Sequence, residues 1–227
     1  MKKIFSYFSR LERILWASSV ALILLSFLAF DRANFLALIA SLIGVTSLIY
    51  SAKGNPIGQA LMVAFSLLYG IISYTFSYFG EMITYLGMTM PMAILALIAW
   101  LRNPYKGNRA EVKVNRLGAA ETALMWAATA CVTVVFYFVL RHFHTANLIP
   151  STFSVTTSFL AVYLTFRRSP YFALAYAAND AVLILLWGLA SASDLHYVSV
   201  AVCFAAFLAH DVYGFISWQR MKKRQAE

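Results

Sequence analysis

Charge is scarce in this chain. Asp, Glu, Lys and Arg make up 12% of its 227 residues, about half the share of roughly 25% usual in a soluble domain. Acid is scarcer still, with nine Asp and Glu against eighteen Lys and Arg. Cysteine is nearly missing: Cys131 and Cys203 fall inside apolar runs without metal-ligand spacing. That excludes a disulfide framework or zinc site and reads both as small buried hydrophobes. No P-loop, H-E-x-x-H, G-x-S-x-G or paired-cysteine motif occurs, so an ATP-driven pump or membrane protease has little support and no cofactor is expected. Hydrophobic residues fill the space instead, at 62%, with 18 Phe, 13 Tyr and 5 Trp. Such a surplus does not fit inside a soluble core, so most of the chain has lipid as its solvent. The aromatics suit interfacial anchoring and ring-stacking pockets alike.

A bilayer-crossing helix needs about 20 mostly apolar residues. Eight stretches qualify: Ile14–Phe30, Ala33–Ser51, Gly58–Tyr78, Met82–Leu101, Ala119–Leu140, Leu148–Phe166, Tyr171–Ser193 and Tyr197–Trp218. The breaks carry turn chemistry, as in Gly54-Asn55-Pro56, Gly80, Asn103-Pro104, Lys106-Gly107-Asn108 and Ser169-Pro170. With the N-terminus inside, Lys2, Lys3, Arg10, Arg13, Lys53, Arg102, Lys106, Arg109, Lys113, Arg116, Arg167, Arg168, Arg220, Lys222, Lys223 and Arg224 all fall on the inner side. Only Arg32 and Arg141 fall outside. Sixteen against two is what the positive-inside rule asks for, and seven spans would spoil it. The net charge of +9 is therefore a topology signal and not a nucleic-acid surface. Lys2 and Lys3 before an apolar run suit a signal peptide, but no small-residue cleavage site follows Phe30, so the first helix is read as retained.

The chain also resembles itself about 113 to 118 residues later. Ala33-Asn34-Phe35-Leu36 is echoed by Ala146-Asn147-Leu148-Ile149. Tyr50, Lys53 and Asn55-Pro56 are matched by Tyr163, Arg167-Arg168 and Ser169-Pro170, and Trp100-Leu101-Arg102 by Trp218-Gln219-Arg220. The first copy covers spans 2–4 and the second spans 6–8. Span 5 restores the polarity between them, making the repeats parallel. The expected organisation is a cytoplasmic N-terminus and extra helix over 1–32 and a first repeat over 33–102. A basic loop and linker helix follow over 103–145, then a second repeat over 146–220 and a cytoplasmic tail over 221–227. The loop Arg102–Arg116 reads as a solvated linker or lipid-headgroup contact.

Polar groups within spans are costly and need partners or a wet cavity. Asn179-Asp180 sits about nine residues into span 7, and His210-Asp211 about seven before the end of span 8. Both lie roughly 10–14 Å from the inner face at 1.5 Å per residue, so they are expected at one depth in one chamber. The alternative is an interhelical hydrogen-bonded cluster. Trp187 lies seven residues beyond Asp180 on the same face, which suits a flat cationic ring or an outer aromatic belt. In the first copy Gln59, Tyr69, Tyr74 and Tyr78 run along span 3, and Gly87-Met88-Thr89-Met90-Pro91 lies in span 4 with Pro91 as a hinge candidate. Glu81 and Glu121 read as solvated, and His142 and His144 as interfacial.

These residues resemble a known family. Gly80-Glu81-Met82 to Gly87-Met88-Thr89-Met90-Pro91, Asn179-Asp180 to Trp187-Gly188, and His210-Asp211-Val212-Tyr213-Gly214-Phe215-Ile216-Ser217-Trp218 look like PnuC-type transporters, bacterial nicotinamide riboside carriers. The resemblance covers spans 2–8. It implies an all-α integral membrane fold of eight helices, a 3+1+3 bundle similar to sugar-exporting SWEET proteins plus one extra N-terminal helix. It further implies facilitated diffusion across the bacterial inner membrane, trapping of the riboside by a cytoplasmic kinase, and a homotrimer. The implied substrate-binding set is Gln59, Tyr69, Thr89, Asn179, Asp180, Trp187, His210, Asp211 and Tyr213. One departure stands out. Family members are similar in carrying a Trp-x-x-Trp pair in the span 7 region, whereas Trp187 is followed three residues later by Ala190. Relatives of this fold carry thiamine or deoxynucleosides, and the residues leave those ligands open. They also leave open a proton relay through Asp180 and His210-Asp211, and a non-transporting sensor or membrane-embedded enzyme.

Overall fold

A computed structural model describes residues 7–75, 79–145 and 147–227. Lys2, Lys3, Tyr78 and Ala146, invoked above, lie outside the described residues. The helices are α1 (Arg10–Phe30), α2 (Phe35–Ala52), α3 (Ile57–Thr75), α4 (Phe79–Ile83), α5 (Met90–Leu101), α6 (Ala119–His142), α7 (Leu148–Phe166), α8 (Phe172–Ser191) and α9 (Tyr197–Arg224). Together with the π-helical turn Thr84–Thr89, α4 and α5 form one span, so eight segments are long and apolar enough to cross a membrane. The chain is an all-α multi-pass membrane protein.

Capping chemistry moves α1 four residues ahead of its expected start. Ser9 Oγ accepts from the Glu12 amide at 3.2 Å, and Glu12 accepts from the Ser9 amide at 2.6 Å. This reciprocal box satisfies two otherwise orphaned N–H groups. Asn34 caps α2 by accepting from the Ala37 amide at 3.0 Å. In span 4 the irregularity lies just before Pro91. The wider π turn occupies Thr84–Thr89, and Pro91 falls in the first turn of α5, where it lacks the N–H that would bond back into that turn.

Packing follows the repeat. In the first copy α2 packs on α3 and α3 on α5; in the second α7 packs on α8 and α8 on α9. The copies meet reciprocally, with α2 against α9 and α5 against α7. The extra helix α1 rests on α2 and α9, and the linker α6 on α7. Leu124, Val134, Val135 and Phe138 of α6 are more than half exposed, a surface that only lipid or another apolar partner can cover. Cys203 is buried, but Cys131 is exposed on this same helix, contrary to its reading as a buried hydrophobe.

The Arg102–Arg116 stretch is more than a solvated linker. It folds into an antiparallel hairpin of β1 (Pro104–Tyr105) and β2 (Asn108–Val112), turning through Lys106 and Gly107 at φ 47° and 80°. Val112 is fully buried, and its amide donates to the Gly54 carbonyl at 2.9 Å. Asn115 donates to the Arg168 carbonyl at 3.0 Å. Gly54 and Arg168 hold matching places in the two repeats, and both adopt left-handed backbone, at φ 67° and 56°. The linker thus ties down the same turn of each copy at the basic end of the bundle. There Glu121 is paired with Arg167, so it is not simply solvated.

Candidate functional site

A cavity of about 520 Å³ opens at the end opposite the hairpin. Helical periodicity builds its walls. Ser151, Ser154, Val155 and Ser158 line it from α7 at spacings of three and four, giving a face of hydroxyls. From α8 come Leu183, Leu186, Trp187, Leu189 and Ala190; Ser193 follows in the α8–α9 turn and Tyr197 on α9. Leu140 comes from the last turn of α6, Phe143, His144, Thr145 and Asn147 from the α6–α7 turn, and Glu81, Thr84 and Tyr85 from span 4. Among the described residues the lining holds one carboxylate and no lysine or arginine.

Aromatic plates stand on two sides. The Trp187 ring lies 5.4 Å from that of Tyr197 at 42°, and Trp187 is buried, in favour of a pocket wall over an outer belt. Across from them Tyr85 is backed by Tyr69, centroids 4.5 Å apart, and meets Phe65 edge-on at 6.0 Å. Tyr69 therefore supports the cavity from behind Tyr85. The Tyr85 hydroxyl is within electrostatic reach of both Glu81 and Asp180.

One turn below the cavity, Asn179 Oδ1 accepts from Thr157 at 2.9 Å and from Ser158 at 3.0 Å. Ser158 also lines the cavity, so the amide is one hydrogen bond from it. Beside it, Asp180 on α8 and Asp211 on α9 lie buried within electrostatic reach of each other, and Asp180 Oδ2 has no hydrogen-bond partner among the described residues. The expectation that these two carboxyls share one depth holds. The expectation that His210 joins them does not: its Nε2 meets Ser19 of the extra helix α1 at 3.1 Å. Asp211 and His210 are consecutive, and a helix turns about 100° per residue, so both cannot face the same way.

Three other expected residues lie away from the cavity. Gln59 donates to Ser51 Oγ at 3.2 Å near the basic end. Tyr213 donates to Glu12 at 2.8 Å, where Glu12 also holds Lys53 at 3.2 Å. Thr89 is buried at the end of the π turn and is not part of the lining. Glu81, expected to be solvated, instead lines the cavity with its Oε2 buried. Its position one helical turn before Tyr85 was the available signal. His144 also lines the mouth. At the lip, Asp194 and His196 form an exposed pair, Oδ1 to Nδ1 at 2.6 Å. The Asp194 carboxylate raises the His196 ring above its usual range, and the His196 amide and ring hold Asp194 below its own. Among the described residues no three His, Cys, Asp or Glu side chains come together as metal ligands.

Three large rings pack together toward the other end of the bundle. Trp100, Trp218 and Phe172 are buried together, with Trp218 4.8 Å from Phe172 and 5.4 Å from Trp100.

Residues 34–220 match the family described as nicotinamide mononucleotide transporter, a match that begins after α1. Over 223 residues the chain is 26% identical to the nicotinamide riboside transporter PnuC of Neisseria mucosa, covering 93% of this chain and 84% of that protein. Its fold is similar to the crystal structure of the vitamin B3 transporter PnuC, with a TM-score of 0.82 at 23% identity over 96% of this chain and 94% of the other.

Proposed function

Because the chain belongs to the nicotinamide mononucleotide transporter family, we propose that it imports nicotinamide riboside by facilitated diffusion. The observation that carries this reading is the composition of the cavity: aromatic plates from Trp187, Tyr197 and Tyr85, a row of α7 hydroxyls, and no lysine or arginine among the described lining residues. An N-ribosyl pyridinium is a flat cation with several hydroxyls. Stacking and cation–π attraction suit its ring, and the serines suit its ribose. A mononucleotide adds a phosphate that would enter the cavity without a counter-charge, at a heavy desolvation cost. The riboside is therefore the better fit, in agreement with the name of the Neisseria relative.

With the basic end cytoplasmic, in the bacterial inner membrane, the cavity faces outward and the Trp100–Trp218 contact closes the inner side. Asn179, Asp180 and Asp211 then mark the path downward from the binding chamber. Pro91, with the π turn beside it, is the element that bends as the two repeats exchange access. Phosphorylation of the riboside by a cytoplasmic kinase would make uptake one-way, and the exposed face of α6 suits assembly into a homotrimer.

A second reading, proton symport, is favoured by the contact between Asp180 and Asp211, since intramembrane carboxyls often serve as proton relays. Proteoliposomes separate the two. Saturable uptake of labelled riboside without any ion gradient is expected. Accumulation that a protonophore abolishes would establish symport instead. Transport of thiamine or a nucleoside in place of the riboside would overturn the substrate and leave the fold as described.

A further inference from the structure

Among the described residues that line the cavity, Glu81 is the one acid, and no lysine or arginine joins it. Its Oε2 is buried and has no hydrogen-bond partner. A carboxylate held within a membrane span is costly and persists where it meets a partner or serves a function. Among the described lining residues no lysine or arginine stands beside it. Tyr85 stands four residues on, within electrostatic reach of Glu81 and on the same helical flank. Trp187 and Tyr197 line the same cavity.

We infer that Glu81 is the charge-selecting residue of this cavity, supplying the counter-ion to a cationic heteroaromatic riboside held among Tyr85, Trp187 and Tyr197. The inference rests on the transport reading above and adds to it the basis of discrimination. Stacking alone accepts any flat ring, charged or neutral. A fixed carboxylate in a poorly solvated cavity attracts a pyridinium and gains nothing from a neutral ring of the same shape. It also repels a phosphate. Glu81 would thus separate the cation from both the neutral dihydropyridine riboside and the anionic mononucleotide.

Calorimetric titration of the detergent-purified full chain with nicotinamide riboside and its neutral dihydro form tests this. The wild-type protein should bind the cation at least tenfold more tightly than the dihydro form, a comparison that needs no variant. Glu81→Gln should weaken the cation about tenfold or more and leave the neutral form within about threefold. Equal wild-type affinities for the two forms, or a Glu81→Gln protein that keeps the full preference for the cation, would overturn the assignment. Wild-type protein that binds neither form overturns the substrate reading itself and this inference with it. That result is distinguishable, because the first two outcomes retain riboside binding.

Discussion

The indole rings of Trp100 and Trp218, which close the two repeats, meet at 5.4 Å, and each donates its N–H into the opposite copy. Trp100 Nε1 donates to the Thr165 carbonyl at the end of α7, at 2.9 Å. Trp218 Nε1 donates to the Ser51 carbonyl at the end of α2, at 2.8 Å. Each indole is a further donor to a helix-end carbonyl that already accepts a backbone amide, that of Arg168 on Thr165 and that of Gly54 on Ser51. The repeats are therefore locked by an exchanged pair of hydrogen bonds around the pseudo-twofold axis.

Trp100→Ala and Trp218→Ala should each destabilise the protein by about 3–5 kcal/mol, the usual cost of deleting a buried Trp. The double variant should cost less than the sum, since the rings touch each other. Thermal unfolding followed by fluorescence-detected size exclusion measures both. Strictly additive losses would show that the two indoles act independently.

Trp187→Ala should weaken riboside binding by about 1–2 kcal/mol, the magnitude of a desolvated cation–π contact, or roughly five- to thirtyfold. Trp187→Phe should recover part of that loss. Calorimetric titration of the two variants beside wild type is the measurement, and an unchanged Kd for Trp187→Ala would remove the stacking role.

Asn179→Ala takes the acceptor from Thr157 and Ser158 at once. Thr157 keeps the Phe153 and Ser154 carbonyls as acceptors, so the loss falls on the part-buried Ser158, about 1 kcal/mol for one hydrogen bond, and the melting temperature should fall modestly. Uptake should fall further than stability explains, because Ser158 lines the cavity. A variant with normal uptake per folded molecule would confine Asn179 to a structural part.

Gly54→Ala puts a side chain at φ 67°, beside Met221 and Val112. The left-handed region costs a non-glycine residue about 1–2 kcal/mol, so the variant should melt earlier. Arg168 already bears that strain at φ 56°, and Arg168→Gly should leave stability unchanged or raise it slightly. An earlier melt for Gly54→Ala and an unchanged or slightly later one for Arg168→Gly is the expected outcome.

The Asp194–His196 pair predicts a pH dependence at the cavity lip. His196 is raised by Asp194, so its contribution is complete below the ordinary histidine value of about 6.5 and is lost as pH rises through the raised folded value. Asp194 is lowered, so its contribution is present above the ordinary value near 3.9 and disappears as pH falls through the lowered one. Amide hydrogen exchange over residues 192–197, corrected for its intrinsic pH dependence, should be slowest between those limits. His196→Asn should flatten the high-pH side.

Composition alone determined that the chain lives in lipid, because 62% hydrophobic residues in a chain of this size exceed what a soluble core can hold. Run lengths gave eight spans, since bilayer thickness fixes helix length. The echoed Ala-Asn, Pro and Trp-x-Arg ends marked the repeat, because duplicated helices share turn chemistry. Asp180 and Asp211 at one depth was also legible, as residue count converts directly to height along a helix. Azimuth was not. Only the packed bundle decided that His210 turns to Ser19 of α1, that Tyr213 and Gln59 stay at the basic end, and that Glu81 enters the cavity. Rotation of a helix about its own axis is set by which neighbours it packs against. In a chain apolar on nearly every face, the sequence carries too little contrast to specify that rotation.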